Sequence, residues 1–172
     1  LKAALNVRGC AALPEIARQL DVPYRNNTSL VVAFGEEDDR MLEVLLERGR
    51  TNGVPGLEII GQEKLRELEP NISPDATAAL VAPSAGIICP YDLTFACIGN
   101  AMDNGVELKN NFFVTKIDKN GDFYTLTSAK GEKVDARIII NCAGTGSGKI
   151  AELVGDKSVN IGLRKGEYLL LD

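Results

Sequence analysis

The residues with the densest chemical potential are Asn141 to Lys149, NCAGTGSGK, set between three isoleucines and an apolar pattern at Ile150, Leu153 and Val154. A β-branched run, a small-residue turn and helical spacing predict a buried strand, a tight loop and a helix. Gly144, Gly146 and Gly148 can take positive φ or let a ligand approach the backbone, and Ser147 is placed to cap the helix. Loops of this kind, at the carboxyl end of a strand in an α/β sheet, bind anions and nucleotides. The same residues also read as a plain glycine-rich strand-to-helix connection with no ligand.

Two sharper motifs fail at this loop. A P-loop needs GxxxxGK followed by Ser or Thr, because the hydroxyl holds magnesium. Here Ala143 stands at the first glycine and Ile150 at the hydroxyl position, which leaves Lys149 as a solvated helix residue. The dinucleotide fingerprint GxGxxG breaks as well, since Lys149 occupies the third glycine position after Gly144 and Gly146.

Other reactive residues are sparse. There is no histidine, so imidazole-based triads and general bases are excluded within these 172 residues. Cys10, Cys89, Cys97 and Cys142 form no CxxC pair, and no metal site is expected. Their apolar neighbours suggest small buried thiols in a reducing cytosol, hence a cytoplasmic protein. Cys142 beside the loop lacks a basic partner that would make it a nucleophile.

The elements that must position these residues follow from patterning. Hydrophobic residues are 45% and charged residues 25%, ordinary for a globular chain. Nineteen basic against 24 acidic residues leave a net charge of −5, with no basic stripe, which argues against nucleic acid. Helical spacing covers Leu5 to Leu20, where Pro14 starts or kinks the helix; Ser29 to Phe34 reads as a strand. A helix with an acidic first turn at Glu36 to Asp39 and Arg48 and Arg50 at its far end fits dipole complementation better than an acidic ligand site. Strands are expected at Leu57 to Ile60, Ala76 to Ala82, Ile87 to Cys89 and Val106 to Leu108, with helices at Gln62 to Glu69 and from Pro90 to Asn104. Phe112 to Ile117 and Phe123 to Thr127 form a hairpin around Asn120 and Gly121, and a further turn leads through Val134 into the isoleucines, making a meander. Ile161 to Leu171 is expected as a last strand interrupted by RKG. The chain opens on Leu1 and stops at Asp172 straight after YLLL, which suggests an excised segment of a larger protein. The fold class is therefore a mixed α/β, or α+β, arrangement.

Taken in order, NTSLVVAF, GIICPYDLT, INCAGTGSGKIAELVGD and LRKGEYLLLD resemble the FAD-dependent oxidoreductases of the D-amino-acid oxidase superfamily. The similarity runs over the whole chain and is nearest the glycerol-3-phosphate dehydrogenase and L-2-hydroxyglutarate oxidase branch. It implies part of a Rossmann-like FAD-binding domain with a β-meander, plus part of an inserted mixed-sheet substrate domain. Residues 1–23 and 90–158 would belong to the FAD domain, 24–89 to the substrate domain, and 159–172 would return to it.

Residue by residue, the resemblance implies that Val114 meets the adenine through its backbone, and that Asn141, Cys142, Ala143 and Gly144, matching the family's NAAG or NCAG turn, lie along the cofactor. Tyr168 would face the substrate from the strand roofing the flavin, and Arg164 would pair with a substrate anion; both also read as an ordinary sheet aromatic and a surface cation. The implied activity is hydride transfer from a polyol phosphate or 2-hydroxy acid to FAD, the isolated segment being inactive for want of the ADP-binding strand. The partner is a small anionic substrate, with room for a peripheral membrane or redox partner of the longer protein. A non-catalytic FAD-fold binding or assembly subunit is the alternative, and a free-standing scaffold module a third; the latter predicts a loop packed shut after Cys142.

Overall fold

A computed structural model describes residues 2–167. The chain divides into two compact units, residues 1–107 and residues 108–172.

In the first unit, α1 (Lys2–Gln19) carries Pro14 inside it and buries only Ala17. β1 (Tyr24–Asn26), β2 (Ser29–Ala33), α2 (Glu36–Thr51), β3 (Glu58–Gly61), α3 (Gln62–Leu68), β4 (Ala78–Ala82), β5 (Gly86–Ile88) and α4 (Pro90–Asp103) follow. The antiparallel sheet β2-β4-β3 has β4 at its centre. Successive side chains of a strand face opposite ways, so the unbroken apolar run AALVA signals a strand covered on both faces. Ala79 and Val81 join Ile60, Leu65 and Ala76 on the α3 side. Leu80 joins Ala33, Leu42 and Leu46 on the α2 side. The result is a helix–sheet–helix layer.

The acidic start of α2 is structural, as its charge order suggests. Asp38 accepts a hydrogen bond from the Phe34 N–H at 3.0 Å. Asp39 accepts one from the Thr77 hydroxyl at 2.8 Å, tying the helix entry to the start of β4. Arg48 and Arg50 lie in the last turn, where cations complement the helix dipole.

In the second unit, β6 (Val114–Asn120), β7 (Phe123–Ser128) and β8 (Lys133–Ala136) form the expected antiparallel meander, and α5 (Ser147–Glu152) follows a 3₁₀ turn at Gly144–Gly146. Asn120 pairs with Phe123, so the turn centres on Gly121 and Asp122, one residue beyond the Asn-Gly pair. Gly121 has φ +63° whereas Asp122 does not take positive φ, the sign pattern of a type II′ hairpin turn. The Ser128 hydroxyl accepts the N–H groups of Lys130 and Glu132, each at 3.2 Å, closing the second turn.

Several expectations are overturned. β8 ends at Ala136, and the isoleucine run is not a strand: Ile138 is 78% and Ile140 81% exposed, with Ile139 between them half-buried. A β-branched run signals a preference for extended backbone, but a strand needs a neighbour, and none of the described strands pairs with it. All described pairings are antiparallel, and the isoleucines join none of them. β4 and β5 belong to different sheets; β5 pairs with β1, a strand the patterning misses because Tyr24–Asn26 is only three residues long. Residues 106–108 and 161–167 form no strand. All four cysteines are exposed, because apolar sequence neighbours do not decide which side of an element is covered.

Candidate functional site

The loop after the isoleucines is organised by one side chain. The Asn141 carboxamide donates to the Ser147 carbonyl at 2.9 Å, and its oxygen accepts the Ala143 N–H at 3.2 Å. That local bond from Asn141 to a backbone N–H two residues on is an Asx turn, and the first bond ties it to the start of α5. Gly146 N–H then donates to the Ala143 carbonyl at 2.9 Å, which closes the 3₁₀ turn. Of the three glycines only Gly144 has positive φ, +55°, and Gly146 sits at −85°. Gly148 matters for a different reason: a Cβ there would stand 3.0 Å from the Val159 carbonyl oxygen, so a side chain would press on the returning chain. Ser147 is not a cap. It is the first residue of α5, and Gly146 precedes it without a side-chain bond.

The loop is open. A cleft of about 640 Å³ lies between the start of β6 and the loop–α5 segment, walled by Phe113, Val114 and Thr115 on one side and Ala143, Gly146 and Lys149 on the other. Two residues nominated separately from the sequence, Val114 and Ala143, therefore face one space. β6 is an edge strand whose ladder slips between Val114 and Lys116, leaving Thr115 as the extra residue of a bulge. An edge strand aims alternate N–H and C=O groups away from its neighbour, toward whatever docks there. A second cleft, of about 380 Å³, is lined by Ile117, Tyr124, Ile138, Ile139 and Asn141. Ile150 lines both.

The other nominated residues are not brought together in the same way. Cys142 and Gly144 lie in the loop but line neither cleft. Arg164 is exposed and lines none of the clefts described here, and Tyr168 lies outside the described residues. Lys149, dismissed as a solvated helix residue, is part of the larger cleft. Its signal was in the sequence: Gly146, Lys149, Ile150 and Leu153 have the i, i+3, i+4, i+7 spacing of one helix face, and all four line that cleft. Among the described residues no group of three or more His, Cys, Asp or Glu side chains is placed to hold a metal, and no helix is long and apolar enough to cross a membrane.

An antiparallel meander whose open edge faces a glycine turn and a short helix across an apolar cleft defines a mixed α/β protein. The fold has solved counterparts. L-proline dehydrogenase from P. horikoshii superimposes with a TM-score of 0.79 at 18% identity, over 91% of this chain and 42% of that one. Dithionite-reduced L-alpha-glycerophosphate oxidase from Mycoplasma pneumoniae, with FAD bound, gives 0.79 at 25% identity, over 88% and 41%. The chain belongs to the FAD dependent oxidoreductase family, whose profile matches residues 1–172. Among curated relatives it is 38% identical to glycerol 3-phosphate dehydrogenase of Caloramator mitchellensis over 172 residues, all of this chain and 36% of that protein. It is 32% identical to mitochondrial L-2-hydroxyglutarate dehydrogenase of Bos taurus over 183 aligned residues, 99% of this chain and 39% of that protein. The chain thus spans less than half the length of these relatives.

The cleft is compatible with part of such a cofactor. Its walls are aromatic and aliphatic on the strand side and small at Ala143 and Gly146, with a single charged side chain, Lys149. Apolar walls with few polar groups suit a planar base, and a cation suits a phosphate.

Proposed function

We propose that the protein containing this chain is an FAD-dependent dehydrogenase or oxidase of a small hydroxy anion, a polyol phosphate such as glycerol 3-phosphate or a 2-hydroxy acid. The observation that carries this reading is the shared cleft of Val114 and Ala143, 29 positions apart in sequence yet walls of one nucleotide-sized space. The names of the relatives supply the substrate class, since glycerol 3-phosphate and L-2-hydroxyglutarate are both small anions bearing a secondary alcohol.

FAD when bound supplies the hydride acceptor. This chain contributes part of the cofactor site: the backbone of Val114 meets the base, and the turn of Asn141, Cys142, Ala143 and Gly144 runs along the cofactor, its shape held by the Asn141 carboxamide. Residues 1–23 and 90–158 serve the cofactor domain, and residues 24–89, which contain the whole β2-β4-β3 layer, the substrate domain. Residues 159–172 return to the substrate side, where Tyr168 and Arg164 orient the substrate anion. The 172-residue chain alone is inactive in this reading.

The test is the visible spectrum of the full-length protein. A bound flavin that bleaches anaerobically on adding glycerol 3-phosphate or L-2-hydroxyglutarate supports the reading and selects the substrate. A colourless protein in excess FAD overturns it in favour of a non-catalytic binding subunit.

A further inference from the structure

β2 lies at the edge of its sheet without the protection that the other edges carry. An edge strand presents unpaired N–H and C=O groups, which native proteins guard with charge, proline, a bulge or shortness. β3, the opposite edge of the same sheet, holds Glu58, ion-paired to Lys64 of α3 at 2.9 Å. β6 has its bulge together with Lys116, Asp118 and Lys119, β8 has Lys133 and Asp135, and β1 and β5 are three residues long. Among the described edge strands β2 alone, a five-residue SLVVA, has none of these devices.

The groups that face the open edge follow from the end of the strand. The Ala33 carbonyl accepts the Thr77 N–H at 2.9 Å, just before β4, so the main chain of Ala33 points toward β4. Along an antiparallel strand that direction alternates with each residue. Val31 therefore also bonds toward β4, and the N–H and C=O groups of Leu30 and Val32 face outward. The side chains of Leu30 and Val32 pack on the α3-side core, whereas Val31 alternates onto the face of Ala33 and is 45% exposed.

We propose that β2 is a self-association edge: two copies of the protein pair their β2 strands antiparallel about a two-fold axis at Val31, joining the two β2-β4-β3 sheets into one. The strand is complementary to its own copy in this register. Leu30 stands opposite Val32 of the partner subunit, and Val32 opposite Leu30 of the partner subunit, so every outward N–H and C=O of these residues finds a mate. Val31 meets its own copy at the closer of the two antiparallel spacings, which covers the exposed β-branched side chain. The α3-side apolar layer, to which Leu30 and Val32 belong, continues across the axis. Neighbouring registers are poorer. Centring on Val32 calls on the Phe34 N–H, already given to the Asp38 carboxylate at 3.0 Å, and centring on Leu30 calls on Thr28, outside the strand. The interface is isologous, lies in the first unit and does not depend on the FAD reading.

The test is sedimentation velocity of the full-length protein over a range of concentrations, as wild type and as Val31→Ile, Val31→Lys and Val31→Cys. The expected result is a dimer in the wild type, kept in Val31→Ile and with a dissociation constant raised at least about tenfold in Val31→Lys, which sets like charges opposite each other and supplies the missing edge guard. On oxidation, Val31→Cys should link two subunits through position 31, a bridge that peptide mapping separates from any formed by the four native cysteines. A wild type that stays monomeric at every concentration overturns the proposal. A dimer that Val31→Lys leaves intact, with no link through position 31, overturns it in favour of another interface. Should Val31→Lys fail to fold, the position-31 link decides: its presence in the dimer upholds the pairing and its absence overturns it.

Discussion

Asn141 and Ser147 are joined across the glycine loop by a 2.9 Å hydrogen bond from the Asn141 carboxamide to the Ser147 carbonyl, while the same carboxamide accepts from Ala143 two residues on. One side chain therefore uses its donor and its acceptor to set the loop that walls the cleft beside β6. A carboxamide suits this, because it offers a donor and an acceptor in one plane on a short side chain.

Replacing Asn141 separates the two bonds. Asn141→Asp keeps the acceptor for Ala143 but loses the donor to Ser147, and Asn141→Leu loses both. At about 0.5–1.5 kcal/mol per bond, the expected loss of FAD affinity is severalfold for Asp and about tenfold or more for Leu. Fluorescence titration of the full-length variants checks the order.

Ala143→Phe fills the cleft without touching the layered core, which lies in the other unit. The expected outcome is loss of bound flavin by more than about tenfold with the melting temperature of the flavin-free protein within a few degrees of wild type. Retained flavin at wild-type stoichiometry would place the nucleotide elsewhere.

Gly148→Ala and Gly146→Ala make a matched pair. The first puts a methyl group 3.0 Å from the Val159 carbonyl oxygen, and the second puts one in ordinary contact, 3.9 Å from the Ala143 Cβ, at φ −85°. Overpacking against backbone costs about 1–3 kcal/mol, so Gly148→Ala should lower the urea midpoint while Gly146→Ala leaves it unchanged or raises it slightly.

Acid should loosen the turn after α5. The Ser158 hydroxyl and N–H donate to the Asp156 carboxylate at 2.6 and 2.8 Å, and these bonds, the hydroxyl first, hold its carboxyl below the usual aspartate value. A carboxyl lowered in the folded state stabilises it above the unfolded value, and that contribution disappears as pH falls through the lowered one. The difference between wild type and Asp156→Asn in thermal melting is therefore expected near neutrality and should shrink to nothing at strongly acid pH. A difference that persists unchanged in acid would show that charge plays no part.

The parts of this protein settled by local chemistry were legible from the residues. Alternation predicted the first two strands of the meander from Phe112 onward, whereas its third strand is Lys133–Ala136 and not the isoleucine run, and α2, with its acidic entry and basic exit, followed from helix spacing and dipole complementarity. The ordered motifs were also enough to reach the family, and to nominate Val114 and Ala143 as separate candidates.

What tertiary structure decided was which of these local features meet. The triple isoleucine predicts extended backbone equally well in a buried strand or on an open surface, and pairing alone chooses; Ile138 and Ile140 stand exposed because no described strand lies beside them. Cysteine burial failed for the same reason, since covering depends on distant segments. Helical spacing puts Lys149 on one face with Gly146, Ile150 and Leu153, but that face became a wall of the cleft only when β6 was folded opposite it, a proximity of segments more than 30 residues apart. The sequence by itself determined the helix after the loop and the positive-φ glycine at Gly144; only the fold determined that the isoleucine run pairs with no described strand and that Val114, Ala143 and Lys149 share one cleft, because that proximity is created by chain reversal through the meander and not by spacing along it.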